Sequence, residues 1–282
     1  KDFATKIYSI DSNASAVIIA DIGFSKIEGN NKNGFSISFK HYKRVHIINK
    51  NGYDIANVSV EQYTNGTEEE QLDKLKAVTY NLESGKVVET KLDINVKEGS
   101  IIEYEYTTTS DFLFNLQPWE FQGDYPRLWS EYNLTLPDFL GYVFLTQGYK
   151  NYDIKNSKTS RGSFRIIDSR GAGASEVFSF EAGVTDSRWV IKNVPALKEE
   201  SYTSTINNHI AKIEFQLSEQ RAPLVYRNIM STWPKVGDDL MKAELFGQLI
   251  TKDNGWLKDI INPLIKGITS KTEQAQKIFA YV

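Results

Sequence analysis

The chain has 282 residues, no cysteine, three histidines and a formal net charge of −3 at pH 7. These figures exclude disulfide scaffolds, thiolate metal sites and thiol nucleophiles. They leave too few histidines for a His-rich metal centre and give none of the basic footprint of a nucleic-acid binder. The length suits one large β domain with a smaller appendage, and no run approaches the ~20 apolar residues of a membrane span.

Most of the chain reads as strands. Residues 15–24 are an apolar, β-branched run, and 35–48 alternate, with Phe35, Ile37, Phe39, Val45 and Ile47 on one parity. Asn51-Gly52 then predicts a hairpin turn. The acidic run Glu68-Glu69-Glu70 reads as a solvated loop. Residues 74–96 predict a hairpin turning at Ser84-Gly85, with Val78, Tyr80 and Leu82 on one parity of its first arm. Residues 100–109 alternate again, with Ile102, Tyr104 and Tyr106 facing a core and Glu103 and Glu105 facing away. Leu128, Tyr132, Leu134 and Leu136 continue the pattern up to Pro137. Further runs fall at 142–149, 163–168, 176–182, 188–192 and 210–217. Many short strands without helical crossovers predict antiparallel sheets packed as a sandwich. Tyr104, Tyr132, Phe178, Phe180, Ile213 and Phe215 are its expected buried members.

The pattern changes near residue 231. Residues 235–250 predict a helix, and 253–268 predict a second one kinked or split at Pro263. Ser270 and Glu273 form a capping box opening a third helix, whose stripe is Ala275, Ile278, Phe279 and Val282. The expected division is a β-sandwich over 1–225 and a helical segment over 226–282. The apolar stripe at the end, and the missing initiator Met at the start, lead to the expectation that the sequence is a processed piece of a longer protein.

Candidate chemistry is sparse. Glu103 and Glu105 could work as a carboxylate pair, but such acids usually come from separate strands with distinct environments, and a solvent-facing strand face is the plainer reading. His41 and His46 fall on opposite parities and cannot share a metal. Gly171-Ala-Gly173-Ala-Ser175 precedes a strand, not the helix N-terminus a phosphate site needs. The aromatic segment 119–129 offers Trp119, Phe121 and Trp129 as a binding surface for a glycan or peptide, against a core role for the same rings. Sequons stand at Asn13, Asn57, Asn65 and Asn133. No catalytic residue, metal site or cofactor is expected.

The order of blocks is also familiar. Arg44 to Gly52, Val58 to Tyr63, Lys76 to Val88, Val96 to Tyr106, Trp119 to Pro126, Leu134 to Pro137, Trp189 to Glu200, and Trp233 through Gly247 resemble a domain of unknown function common in Bacteroidetes. That domain lies upstream of transglutaminase-like domains in secreted or envelope proteins. Lys271 to Val282 is similar to the opening helix of the transglutaminase-like domain itself. The resemblance implies a non-catalytic β-sandwich, located in the periplasm, at the cell surface or secreted. It would serve a downstream domain with a Cys-His-Asp triad, perform peptidase or acyl-transfer chemistry only through that domain, and position or recognise a protein or cell-surface substrate. None of those triad positions lies in this sequence. An independent glycan-binding module is the rival expectation, with a carboxylate enzyme behind it.

Overall fold

The computed structural model describes residues 2–32, 34–91, 95–168, 175–203, 205–252 and 255–282. The glycine-rich run 171–174 lies outside them. The chain divides into two compact units, Lys1–Ile229 and Met230–Val282.

The first unit is mainly β. Its larger sheet has eight strands in the order β4-β3-β5-β2-β1-β7-β10-β9. They are β1 (Ala16–Gly29), β2 (Phe35–Ile47), β3 (Gln71–Glu83), β4 (Lys86–Lys91), β5 (Ile101–Ser110), β7 (Arg127–Pro137), β9 (Ile154–Asp168) and β10 (Glu176–Val194). The smaller sheet is built on β11 (Lys212–Gln220). β8 (Leu140–Gln147) pairs with it, and the short β6 (Trp119–Glu120) and β12 (Arg227–Asn228) complete it. The runs 176–182 and 188–192 merge into the single strand β10.

One pairing departs from the antiparallel expectation. β1 and β7 run parallel, from Ile18 opposite Arg127 to Lys26 opposite Thr135. A parallel pair needs a long return connection, usually a helix; here the intervening strands supply it. The result is a mixed sheet in which the parallel β1–β7 pair joins a five-strand antiparallel block to a three-strand one.

The two sheets share one apolar core. Tyr132 and Trp189 from the larger sheet meet Phe215 from the smaller, with Tyr132 and Phe215 centroids 5.6 Å apart. Alternation on β11 puts Ala211, Ile213, Phe215 and Leu217 inside. Tyr104, Tyr132, Ile213 and Phe215 are buried as expected and Phe180 is half-buried. Phe178 is 46% exposed, although it shares the parity of Phe180: parity selects a face but does not supply its cover. A second, smaller core of Ala16, Ile18, Val45, Ile47, Ala56 and Ile102 lies farther along the same face.

Three local expectations are corrected. Asn51-Gly52 makes no hairpin; it opens a 3-10 helix, Lys50–Ala56, capped by Asn49, whose side chain accepts from the Asn51 amide. Gly52 is buried because the chain passes close to Ser15: a Cβ there would fall 2.5 Å from the Ser15 carbonyl oxygen. On β3 the apolar parity of Val78, Tyr80 and Leu82 faces away from the core, while Thr79 and Asn81 are buried. Register decides this, since Thr79 stands opposite Ile102 and Ala77 opposite Tyr104. Glu70 is no solvated loop residue; it is buried, accepting from the Tyr63 amide at 3.0 Å and from Asn115 Nδ2 at 2.8 Å. The Ser84-Gly85 turn forms as expected, both residues having positive φ.

The second unit is helical. Its helices are α1 (Trp233–Lys242), α2 (Gly247–Thr251), α3 (Gly255–Ile265) and α4 (Lys271–Tyr281). The single helix expected over 235–250 is interrupted between Lys242 and Gly247, whereas Pro263 is carried inside α3. Ser270 caps α4 by accepting from the Glu273 amide. No side chain of α1, α3 or α4 is buried.

Candidate functional site

The inner face of the larger sheet is not apolar throughout. Between the two cores, β1 contributes Asp21, β2 contributes His41 and Lys43, β5 contributes Tyr104 and Tyr106, and β7 contributes Arg127. Register brings them into rows: Asp21 stands opposite Lys43 and Lys43 opposite Tyr104, while His41 stands opposite Tyr106. The β1–β2 register shifts between Ile18 and Ala20, so Asp21 faces inward on the same side as Ile18. Such bulges re-aim side chains beside functional sites.

Asp21 is the hub. It is 2% exposed, with Oδ1 2.6 Å from His41 Nε2 and Oδ2 3.1 Å from Arg127 Nη1 and 3.3 Å from Lys43 Nζ. Burial acts to raise its pKa, but Lys43, Arg127 and His41 together override that and hold the carboxyl well below the usual range. An ionised carboxylate only accepts, so His41 donates through Nε2; its Nδ1 lies 3.1 Å from the Tyr106 hydroxyl. Burial pushes the Lys43 ammonium below its ordinary pKa, with Asp21 offsetting part of the effect and Arg127 adding to it.

Arg127 also donates through Nη1 to the Glu120 carbonyl. Its Nε is buried with no hydrogen-bond partner among the described residues. Gly123 lies close against the other end of the guanidinium: a Cβ there would sit 2.9 Å from Nη2. Lys43, Tyr104, Gly123 and Arg127 line a groove of about 610 Å³, whose walls include Ile55, Val58, Leu197, Ile206 and Ile210. Asp54, Glu120 and Asp124 also border it. This volume lies within the ordinary range of ligand pockets.

The residues singled out from sequence fall elsewhere or play other parts. Trp119 and Phe121 are buried. The Trp119 indole lies on the bare backbone of Gly23, stacks on Tyr132 at 5.5 Å and meets the His41 ring edge-on at 5.2 Å. It therefore supports the polar cluster from behind. Trp129 lies half-buried beside Glu131, to which its Nε1 donates at 2.8 Å, with Lys192 Nζ 5.1 Å from its ring centroid.

Glu103 and Glu105 do not converge. Glu103 accepts from Tyr42 at 2.7 Å, Tyr80 at 3.0 Å and Arg44, while Glu105 pairs with Lys40 at 2.9 Å. Burial tends to raise the Glu103 pKa, but these hydrogen bonds lower it overall, the opposite of what a general acid needs. His46 lies on the other face from His41, its Nδ1 2.8 Å from the Tyr8 hydroxyl. Asn133 is tied by its amide to Glu131 at 3.0 Å. Among the described residues no group of three or more His, Cys, Asp or Glu could hold a metal ion, and no helix is long and apolar enough to cross a membrane.

No protein-family model matches the chain, and no curated protein matches it. A solved structure does: a putative protease from Parabacteroides distasonis. The likeness has a TM-score of 0.56 at 10% identity and covers 95% of this chain. It covers 50% of the Parabacteroides chain, so the present chain spans half the length of the protein it matches. At that identity the likeness is one of fold.

Proposed function

We propose that this chain is the non-catalytic accessory region of a transglutaminase-like protein, a peptidase or acyltransferase acting outside the cytoplasm, and that it positions or recognises a protein or cell-surface substrate. The observation that carries the reading is the coverage of the fold match: nearly all of this chain corresponds to half of a protein named as a putative protease. The sequence resemblance to a domain found upstream of transglutaminase-like domains supports the same assignment. So does the chain's own chemistry, because transglutaminase-like catalysis needs a thiolate beside a base and there is no cysteine here. The groove over Lys43 and Arg127 is the surface best suited to recognition. The glycan-binding alternative is weakened by the burial of Trp119 and Phe121, which removes two of its three stacking rings.

Two measurements test the reading. The purified chain should release no peptide from casein and incorporate no amine into it. Turnover that a Glu103→Gln substitution abolishes would overturn the proposal in favour of a carboxylate enzyme. In the parent gene, a reading frame that continues past Val282 into a segment with Cys, His and Asp supports the accessory role; a stop codon directly after Val282 refutes it.

A further inference from the structure

We infer that the groove over Lys43, Gly123 and Arg127 binds an organic carboxylate with an apolar body, the carboxylate seated between the Lys43 ammonium and the Nη2 end of the Arg127 guanidinium. The inference stands on the geometry of the groove and does not depend on the parent protein being a protease.

Charge balance at the floor is the first argument. Among the described residues Asp21 is the one carboxylate that ion-pairs with both Lys43 and Arg127, and both cations reach the same oxygen, at 3.3 and 3.1 Å. Its other oxygen is taken by His41 at 2.6 Å. A buried ion cluster that served stability alone would be expected to match its charges and satisfy its donors, because each unmatched buried charge is costly. Here two cations, with side chains 17% and 10% exposed, share one ion-paired carboxylate, while Glu120 acts on Lys43 through its charge without a salt bridge among the described residues. The Arg127 Nε has no acceptor among the described residues.

Access is the second argument. Gly123 is the residue facing Arg127 Nη2, and any side chain there would press on the guanidinium from 2.9 Å. Lys43, Gly123 and Arg127 all line the groove, so a side chain at 123 would take up space beside the guanidinium that glycine leaves free. A planar guanidinium with a neighbouring ammonium is a natural cradle for a carboxylate.

The walls then select the rest of the ligand. Ile55, Leu197, Ile206 and Ile210 supply apolar surface for a hydrocarbon body. Asp54, Glu120 and Asp124 border the same groove and would repel a polyanion, so a ligand with one carboxylate fits better than a phosphorylated one. Asp54 is itself held by the Tyr125 hydroxyl at 2.5 Å. A peptide C-terminus and a free small acid share this chemistry.

The test uses the full chain with N-acetyl-leucine as the probe, followed by calorimetry and by amide chemical shifts. The expected result is binding that perturbs the amides of Gly123, Asp124 and Tyr125, with N-acetyl-leucinamide at least tenfold weaker. Lys43→Met should weaken the acid at least tenfold. Gly123→Ala, which keeps every charge and adds only a methyl, should weaken it as well. Lys158→Met should leave it unchanged, and thermal unfolding confirms that each variant is folded. A tripeptide acid ending in leucine that binds tighter than N-acetyl-leucine assigns the source to a chain end, and equal affinity assigns it to a small acid. Equal binding of acid and amide, tighter binding of inorganic phosphate, shifts confined to another surface, or a folded Lys43→Met with full affinity would each overturn the inference.

Discussion

Asp21 shows how one residue carries both stability and site geometry. It is the shared counter-charge for two buried cations, so removing it takes away the ion-pair partner of both. Asp21→Ala should cost about 3–5 kcal/mol in urea unfolding, the range for breaking a buried ion cluster from its hub. A loss under about 1 kcal/mol would show that water already compensates Lys43 and Arg127. The pH dependence has a definite sign. The folded carboxyl titrates below its ordinary value of 3.8, so its contribution is complete above that value and is lost as pH falls through the lower folded one. Between pH 5 and 2, wild-type stability should therefore fall more steeply than that of Asp21→Asn; parallel curves would remove Asp21 from the acid response. Part of this cluster was legible before the fold. His41 and Lys43 share the odd parity of Phe35, Ile37, Phe39, Val45 and Ile47, which forces them inward, and Asp21 interrupts a β-branched run. Arg127 was not legible, because its place depends on the parallel pairing of β7 with β1, set by tertiary register and by no local pattern.

At the scale of elements, hydrophobic alternation located the strands well and their turns less well. The β11 and β5 parities follow directly from their sequences. The β3 parity does not, because an edge-ward strand takes its facing from register with β5, and Thr79 and Asn81 find polar partners or cover inside: Asn81 receives the Ser100 hydroxyl at 2.5 Å and donates to the Asn95 carbonyl at 2.9 Å. Asn51-Gly52 misleads for a different reason. Its glycine is required by a close backbone approach, not by a turn of positive φ. The two uses of glycine predict different responses. Gly52→Ala sets a methyl against backbone atoms of Ser15 that cannot swing aside, with an expected loss of about 1–3 kcal/mol. Gly85→Ala meets open space at φ +77 and should cost only the left-handed penalty of about 1–2 kcal/mol. Thermal unfolding of the pair checks this, and a neutral Gly52→Ala would mean that the 3-10 helix can lift away from Ser15.

For the whole molecule, the contrast between the two units leads to a prediction about local stability. The first unit buries large side chains such as Tyr132, Phe121 and Phe139 to 2% exposure or less. The second has helices of 5 to 11 residues, none of whose side chains in α1, α3 or α4 is buried. Isolated helices of that length are marginal in water, and most helical stability in proteins comes from packing an apolar face. Trp233, Leu245, Trp256 and Phe279 are between 67% and 88% exposed, so these large side chains gain little of that packing among the described residues. Amide hydrogen exchange on the full chain should therefore separate the units. Amides in the central strands β1, β2, β7 and β10 should exchange near the global unfolding limit, and those of α1 to α4 should exchange through local opening of far lower free energy. A single uniform protection level across both units would refute the division. Protection of the helices that appears only when the chain is joined to a following domain would be the outcome the accessory-region proposal requires, since the exposed stripe of Phe279 and Val282 would then have gained its cover.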